Sequence, residues 1–263
     1  MARRDITVAC NWSAVGRAAG AALASAMLCV PPGAGAAELR RDDILRILEA
    51  ATAAAVADLH ELSARGADLS NVDFHGAYMR GIDLKGANLA GAKLAHAVLD
   101  LSILSNANLA GADLSDASLY GTVMLEAGLE GVDLSRAILV GNLSGARLDG
   151  ARLLHARAGA NMKNQSMGLI RLVITYASLD RADLSDADLA VCDARFARFV
   201  NATLRRVNLS DCDLRGADFT GADLTDANLA GAKLEGAIFA DIRGRGTIKG
   251  LDQAQGVSME LLD

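Results

Sequence analysis

The sequence predicts an all-β solenoid, a chain wound in square coils of twenty residues and preceded by a short helix. Three observations predict it. From Ala67 to Asp241 the chain repeats every five residues, as in Ala107-Asn-Leu-Ala-Gly111 followed by Ala112-Asp-Leu-Ser-Asp116. A large apolar residue centres each unit from Leu69 to Leu139, fifteen units without exception, and again from Leu179 to Phe239, thirteen units with one lapse at Ala194. Rare residues recur at a spacing of twenty: Phe199, Phe219 and Phe239 at centres, Cys192 and Cys212 two positions before centres. Both prolines, Pro31 and Pro32, lie before the repeat, which suits a continuous strand ladder because proline cannot donate to it.

Internal repetition decides architecture ahead of local propensity. A period of five matches neither a helix face at 3.6 nor a strand alternating at two. It fits a chain that turns a corner every five residues. The centre and the small residue two before it share parity, so both point inward on a short extended side. The residue between them points out, and the last two, often Gly, Asp, Arg or Asn, make the corner. Four sides close a square, and like then stacks on like one coil later. About nine coils at ~4.8 Å make a stack on the order of 40 Å long.

Residues 1–36 differ in composition from the rest of the chain. Arg3, Arg4 and Arg17 precede an apolar stretch from Ala18 to Val30, then Pro31-Pro32-Gly33 and Ala34-Gly35-Ala36-Ala37. That order is the pattern of a cleavable secretory signal, with cleavage expected after Ala36 or Ala37. Its removal takes 26 Lys+Arg and 32 Asp+Glu to 23 and 31, a net charge of −8. No other stretch approaches the ~20 apolar residues of a membrane span. Residues 37–57 read as a helix with acidic Asp42 and Asp43 at its start and Ile44, Leu45, Ile47 and Leu48 as its stripe. It is expected to run to about Ala55 and to cover the first coil of a repeat domain spanning 58–241. Residues 242–263 break the rhythm, with Leu251, Val257, Met259, Leu261 and Leu262 available to close the core.

The rhythm is interrupted once. Leu139 to Leu143 is one residue short, and Leu179 lies twenty-one residues beyond the weak centre Ala158. These spacings are read as a continuous stack with a distorted coil around Arg157–Met167; a loop or short helix projecting from the stack is the alternative.

Units such as Ala67-Asp-Leu-Ser-Asn71, Ala87-Asn-Leu-Ala-Gly91, Ala182-Asp-Leu-Ser-Asp186 and Ala217-Asp-Phe-Thr-Gly221 resemble those of the pentapeptide-repeat family. The resemblance covers roughly two-thirds of the chain. It implies a right-handed quadrilateral β-helix and says little about activity.

No catalytic, cofactor-binding or metal-binding constellation is visible. His60, His75, His96 and His155 fall on different units, without the convergent spacing of a metal site. No serine sits in a nucleophile elbow and no glycine-rich loop has phosphate-binding spacing. The outward aspartates, among them Asp68, Asp113, Asp183 and Asp223, are explained by corner hydrogen bonds to backbone amides. Arg147, Arg152 and Arg157, five apart, fall on successive sides and line no nucleic-acid surface. Cys192 and Cys212 are expected to be buried free thiols, because in-register parallel neighbours hold their Cβ atoms too far apart for a relaxed disulfide.

These readings point to a non-enzymatic, exported scaffold, periplasmic or secreted, that contacts an unnamed protein partner in the bacterial envelope. Departures from a strict repeat mark function, which makes Arg157, Met162, Met167 and Tyr176 the candidate interaction region. The alternative is a cytosolic, DNA-mimicking protein that binds topoisomerase, as the resemblance implies for some relatives that protect against quinolones. It requires that residues 1–36 are not a signal. The sequence names neither the partner nor an oligomeric state.

Overall fold

Each five-residue unit makes the same set of backbone bonds, and that set is the fold. In the unit 67–71 the centre Leu69 donates its N–H to Asn88 O at 2.7 Å, and Asn71 donates to Ala90 O at 2.9 Å, both one coil ahead. The outward residue one coil on, Asn88, donates back to Ala67 O at 2.9 Å. Val72 N to Leu69 O, 3.3 Å, closes the corner. The third residue of this turn is left-handed: φ is 57° at Asn71 and 67° at Gly76. Such a turn favours Gly or Asn there, yet among the described residues nineteen non-glycine residues adopt positive φ, which for side chains other than Asn and Asp costs about 1 kcal/mol or more.

The computed structural model describes residues 38–51, 56–159 and 170–257. The leader 1–36, Met162, Met167, Met259, Leu261 and Leu262 lie outside the described residues, as do 52–55. Parallel bridges link each outward residue to its equivalent one coil later and sort the sides into four columns. Face 1 runs from Asp58 to Lys249, face 2 from Ser63 to Gln255, face 3 from Asp68 to Ile238 and face 4 from Asp73 to Arg243. The step is twenty residues throughout 58–138 and from Val173 to Arg243. Pairing thus continues past Asp241, where the sequence rhythm stops. There the corners carry single-turn helices at Arg245–Thr247 and Leu251–Gln253. Leu251 and Val257 pack against the core there.

Of the two readings for Arg157–Met167, the pairing on either side favours the alternative, residues that leave the stack, although 160–169 themselves lie outside the described residues. Strand β1 (Thr122–Val123) pairs with β2 (Gly141–Asn142), a step of nineteen, so that coil is one residue short at the corner between faces 1 and 2. A Cβ on Gly141 would collide with the carbonyl oxygen of Thr122, so the tightened corner needs glycine. The next step is thirty-one, as in Asn142 to Val173 and Arg157 to Asp188. Arg157 and Val173 occupy neighbouring sides sixteen residues apart, where five is the rule. Eleven extra residues therefore enter at one corner, again between faces 1 and 2, while Ala156, Ala158, Leu172 and Ile174 on either side remain buried. Two sides plus eleven residues give the same twenty-one as a coil plus one, which is why spacing alone pointed to a distorted coil.

Helix α1 spans Arg41–Ala50 and ends short of Ala55, with Ala51 already extended. Of its stripe only Ile44 is fully buried, and Leu45, Ile47 and Leu48 are partly so. Arg41 Nη1 donates to Asp68 O and Ser70 O at 3.1 and 3.0 Å, tying the helix to the early coils.

Inside, leucines and alanines fill one continuous core. Phe199, Phe219 and Phe239 form the expected column, with centroids 4.9 and 5.0 Å apart and planes within 3° and 5° of parallel. Cys192 and Cys212 are buried and free. The Cys212 thiol donates to Leu189 O at 3.0 Å and accepts the Cys192 N–H at 3.2 Å. Burial pushes the Cys192 thiol well above its ordinary range, leaving it an unreactive packing group.

Phe219 has a ring on either side, Phe199 and Phe239 on one side only. Phe219→Ala is therefore expected to cost about 3–5 kcal/mol, more than Phe239→Ala, by urea unfolding. Equal losses would contradict the column.

Candidate functional site

The outward positions account for the abundant acids. Backbone partners satisfy four of each five amides, and the exception is the residue just after the centre. Where the outward residue is Asp or Asn, its Oδ1 accepts that remaining N–H: Asp68 from Ser70 at 3.2 Å, Asp113 from Ser115 at 2.9 Å, Asp133 from Ser135 at 2.9 Å. Asparagines add ladders between coils, Asn108 to Asn88 to Asp68 on face 3 and Asn228 to Asn208 to Asp188 on face 1. The aspartates are thus parts of the backbone scheme.

Arginines neutralise many of the rest. Arg136 grips Asp116 with bonds of 2.9 and 2.6 Å, and Arg206 grips Asp186 with 2.6 and 2.7 Å. Both pairs stand in the column of left-handed residues between faces 4 and 1. On face 2 the carboxylate of Asp193, only 4% exposed, receives Arg171 at 3.1 Å and Arg195 at 2.8 and 3.0 Å. Asp223, 2% exposed, is held by Arg205 and by the Thr225 hydroxyl. The described faces therefore show acids interleaved with paired arginines, unlike a row of DNA phosphates.

The histidines do not converge. His60 Nδ1 lies 2.6 Å from Asp58, and His75 meets His96 edge-on at 5.2 Å. Among the described residues no group of three His, Cys, Asp or Glu is placed to hold a metal. No helix among them is long and apolar enough to cross a membrane.

Of the candidate interaction residues, Arg157 and Tyr176 are described, and these two stand on different sides of the coil. Arg157 stands exposed on face 1, one coil before Asp188. Tyr176 stands at the corner between faces 2 and 3, 69% exposed. Its ring stacks on Phe196 at 5.0 Å with planes 12° apart, and Phe196 is itself 50% exposed. Both take the left-handed conformation, with φ of 58°. The Phe196 ring in turn covers Gly216 one coil on, where a Cβ would meet it at 2.5 Å. Sequence reading missed Phe196, although the twenty-residue register that aligned the buried phenylalanines also aligns it with Tyr176. It also missed that exposed Tyr78, Leu101, Ile103, Tyr120 and Leu125 gather on faces 1 and 2 and their corners.

The arginine bonds hold Asp116, Asp186 and Asp213 below the usual carboxylate range. At Asp223 burial acts upward, but bonds from Thr225 and Arg205 outweigh it, and the net shift is downward. A folded-state pKa below the unfolded value of ~3.9 stabilises the fold fully above that value and fades as pH falls through the folded value. The thermal midpoint should hold from pH 7 to about 5 and decline below about 4. A flat profile down to pH 3 would show that these pairs contribute nothing.

The family model described as pentapeptide repeats matches in eight copies, over residues 57–90, 67–106, 82–121, 102–141, 171–206 and 202–241. The first block of matches ends at the shortened corner, and the unmatched interval 142–170 holds the insertion. Among solved structures, HetL, a pentapeptide repeat protein involved in heterocyst differentiation regulation from the cyanobacterium Nostoc sp. strain PCC 7120, is 30% identical. That alignment covers 83% of this chain and 98% of HetL, with a TM-score of 0.45. QnrB1, a plasmid-mediated fluoroquinolone resistance protein, is 21% identical over 76% of this chain and 90% of its own, with a TM-score of 0.55; the likeness is one of fold. A pentapeptide repeat protein from the Arabidopsis thaliana thylakoid lumen is 30% identical over 49% of this chain and 66% of its own, with a TM-score of 0.23. Comparison with curated proteins finds no match. With more than half of its residues matched, the chain belongs to the pentapeptide-repeat family, a right-handed β-helical solenoid.

Proposed function

We propose that this repeat scaffold is non-enzymatic and exported, and that it offers its flat faces to a protein partner in the bacterial envelope. Solenoids provide extended surfaces of this kind. In this reading residues 1–36 direct export, and α1 closes the N-terminal end. The burial of Ile44 and the Arg41 bonds to Asp68 O and Ser70 O support that closure.

The observation that carries the reading is the exposed Tyr176–Phe196 stack. Two large rings occupy corner positions where glycine would be unstrained, and they fill no interior space. Strain kept at an exposed aromatic pair points to a contact made outside the molecule. The neighbouring Arg171–Asp193–Arg195 network on face 2 supplies a polar rim, and the corner insertion enters in the same coil as Tyr176. The cytosolic, topoisomerase-binding alternative needs a retained leader and unpaired acid rows. The Asp116–Arg136 and Asp186–Arg206 pairs weigh against the second requirement.

Fractionation of a C-terminally tagged chain tests the compartment. A shortened chain in the periplasm or medium is expected; a full-length cytosolic chain would overturn export and favour the alternative. Capture of partners from that compartment tests the surface. The double variant Tyr176→Ala, Phe196→Ala is expected to lose more than tenfold of the captured partner, as removal of central aromatic anchors does. Undiminished capture would move the binding surface elsewhere.

A further inference from the structure

Exposed Tyr78, Leu101 and Tyr120 share one strip with the half-buried outward residues Val98 and Ile138. All five lie on face 1 or on the corner after it. We propose that this strip is the contact between two copies of the chain, packed antiparallel about a two-fold axis through the coil of Ser118 and Tyr120.

Two features of the strip select a second copy as the occupant. The first is pitch. Outward side chains recur once per coil, every ~4.8 Å, so ridges and grooves stay in step over several coils only against a stack of equal pitch. An α-helix, with its 5.4 Å pitch, slips by about 0.6 Å per turn. The second is self-complementarity, which an isologous interface requires. Face 1 reads Tyr78, Val98, Ser118, Ile138, Arg157 in successive coils. Reversed about Ser118, Val98 meets the partner's Ile138, and the Tyr78 ring meets the guanidinium of the partner's Arg157, a favourable cation–π pairing. On the adjoining corner Tyr120 meets its own counterpart, with exposed Leu101 beside it.

The carboxylate within the strip, Asp100, is already engaged by the Ser118 hydroxyl and the Tyr120 N–H. The first like-charged pair on face 1, Asp58 with the partner's Asp188, falls at the rim, where water and salt screen it. Five coils give a strip on the order of 20 Å long, smaller than the footprint of an obligate dimer. The expected dissociation constant is therefore micromolar.

Sedimentation velocity over about 1–300 µM is expected to show a monomer–dimer equilibrium. Tyr120→Glu and Ile138→Lys, checked for retained circular dichroism, should each raise the dissociation constant more than tenfold. Phe196→Ala, at a different corner, should leave it unchanged, which separates this contact from the partner surface proposed above. Ser118→Cys places a thiol on the axis, so mild oxidation should link two copies through it. Arg157→Cys, off the axis, should not link to itself. The wild-type chain controls for its own four cysteines. A monomer at every concentration overturns the proposal. So does a dimer that persists in Tyr120→Glu, or linkage at Arg157→Cys in place of Ser118→Cys.

Discussion

Four of the five backbone amides in each unit of the coil stack find a backbone acceptor, and the solution repeats every five residues. Three of the five amides bond to neighbouring coils and one closes the corner, as Leu69, Asn71, Asn88 and Val72 show. The fifth is left to a side chain. That fifth amide favours an outward Asp or Asn, whose Oδ1 reaches the amide two residues on, though Asp100, Asp149 and Asp180 serve the same amide one coil on. The repeating scheme also dictates the left-handed third turn residue, and with it the cost accepted wherever that residue is not Gly, Asn or Asp. The leucine and alanine interior comes from the same geometry, since a side of five residues has room for two inward side chains.

The arrangement bears on function in two ways. It consumes the acids that would otherwise suggest a metal site or an imitation of DNA, since Asp68, Asp113 and Asp133 serve the backbone and Asp116 and Asp186 serve arginines. It also makes departures conspicuous. The shortened corner at Gly141 and the insertion after Gly159 fall at the same corner in successive coils. Close by, large residues stand at strained or exposed positions where small polar ones would suffice. Specificity in such a scaffold resides in what the repeat does not require.

The fold was legible because inward positions obey a strict rule: the run from Leu69 to Leu139 and the phenylalanine and cysteine spacings are enough to set the coil length. The outward surface was less legible, because outward residues at one height around the coil are five apart in sequence while true neighbours along a face are twenty apart. Tyr176 lies in the irregular segment, where the broken rhythm marks it. Phe196, its stacking partner, lies in a regular one and carries no such mark. Arg157 and Tyr176 are near in sequence, yet the two stand on different sides of the coil. The frame arithmetic of Ala158 and Leu179 has two solutions, a distorted coil or residues projecting from the stack, and the pairing of Arg157 with Asp188 favours the second.

Residue-resolved amide exchange tests the backbone scheme most directly. The amides of Ser70, Ala90 and Ala110, each held by an outward Asp68, Asn88 or Asn108, should exchange slowly, together with the centre amides of Leu69, Leu89 and Leu109. The amides of Arg80, Asp100 and Leu125 come after Tyr78, Val98 and Val123, which offer no acceptor, and these should exchange fast. A five-residue pattern of protection with those exceptions is the predicted result. Uniform protection across all six post-centre amides, or protection without a period of five, would contradict it.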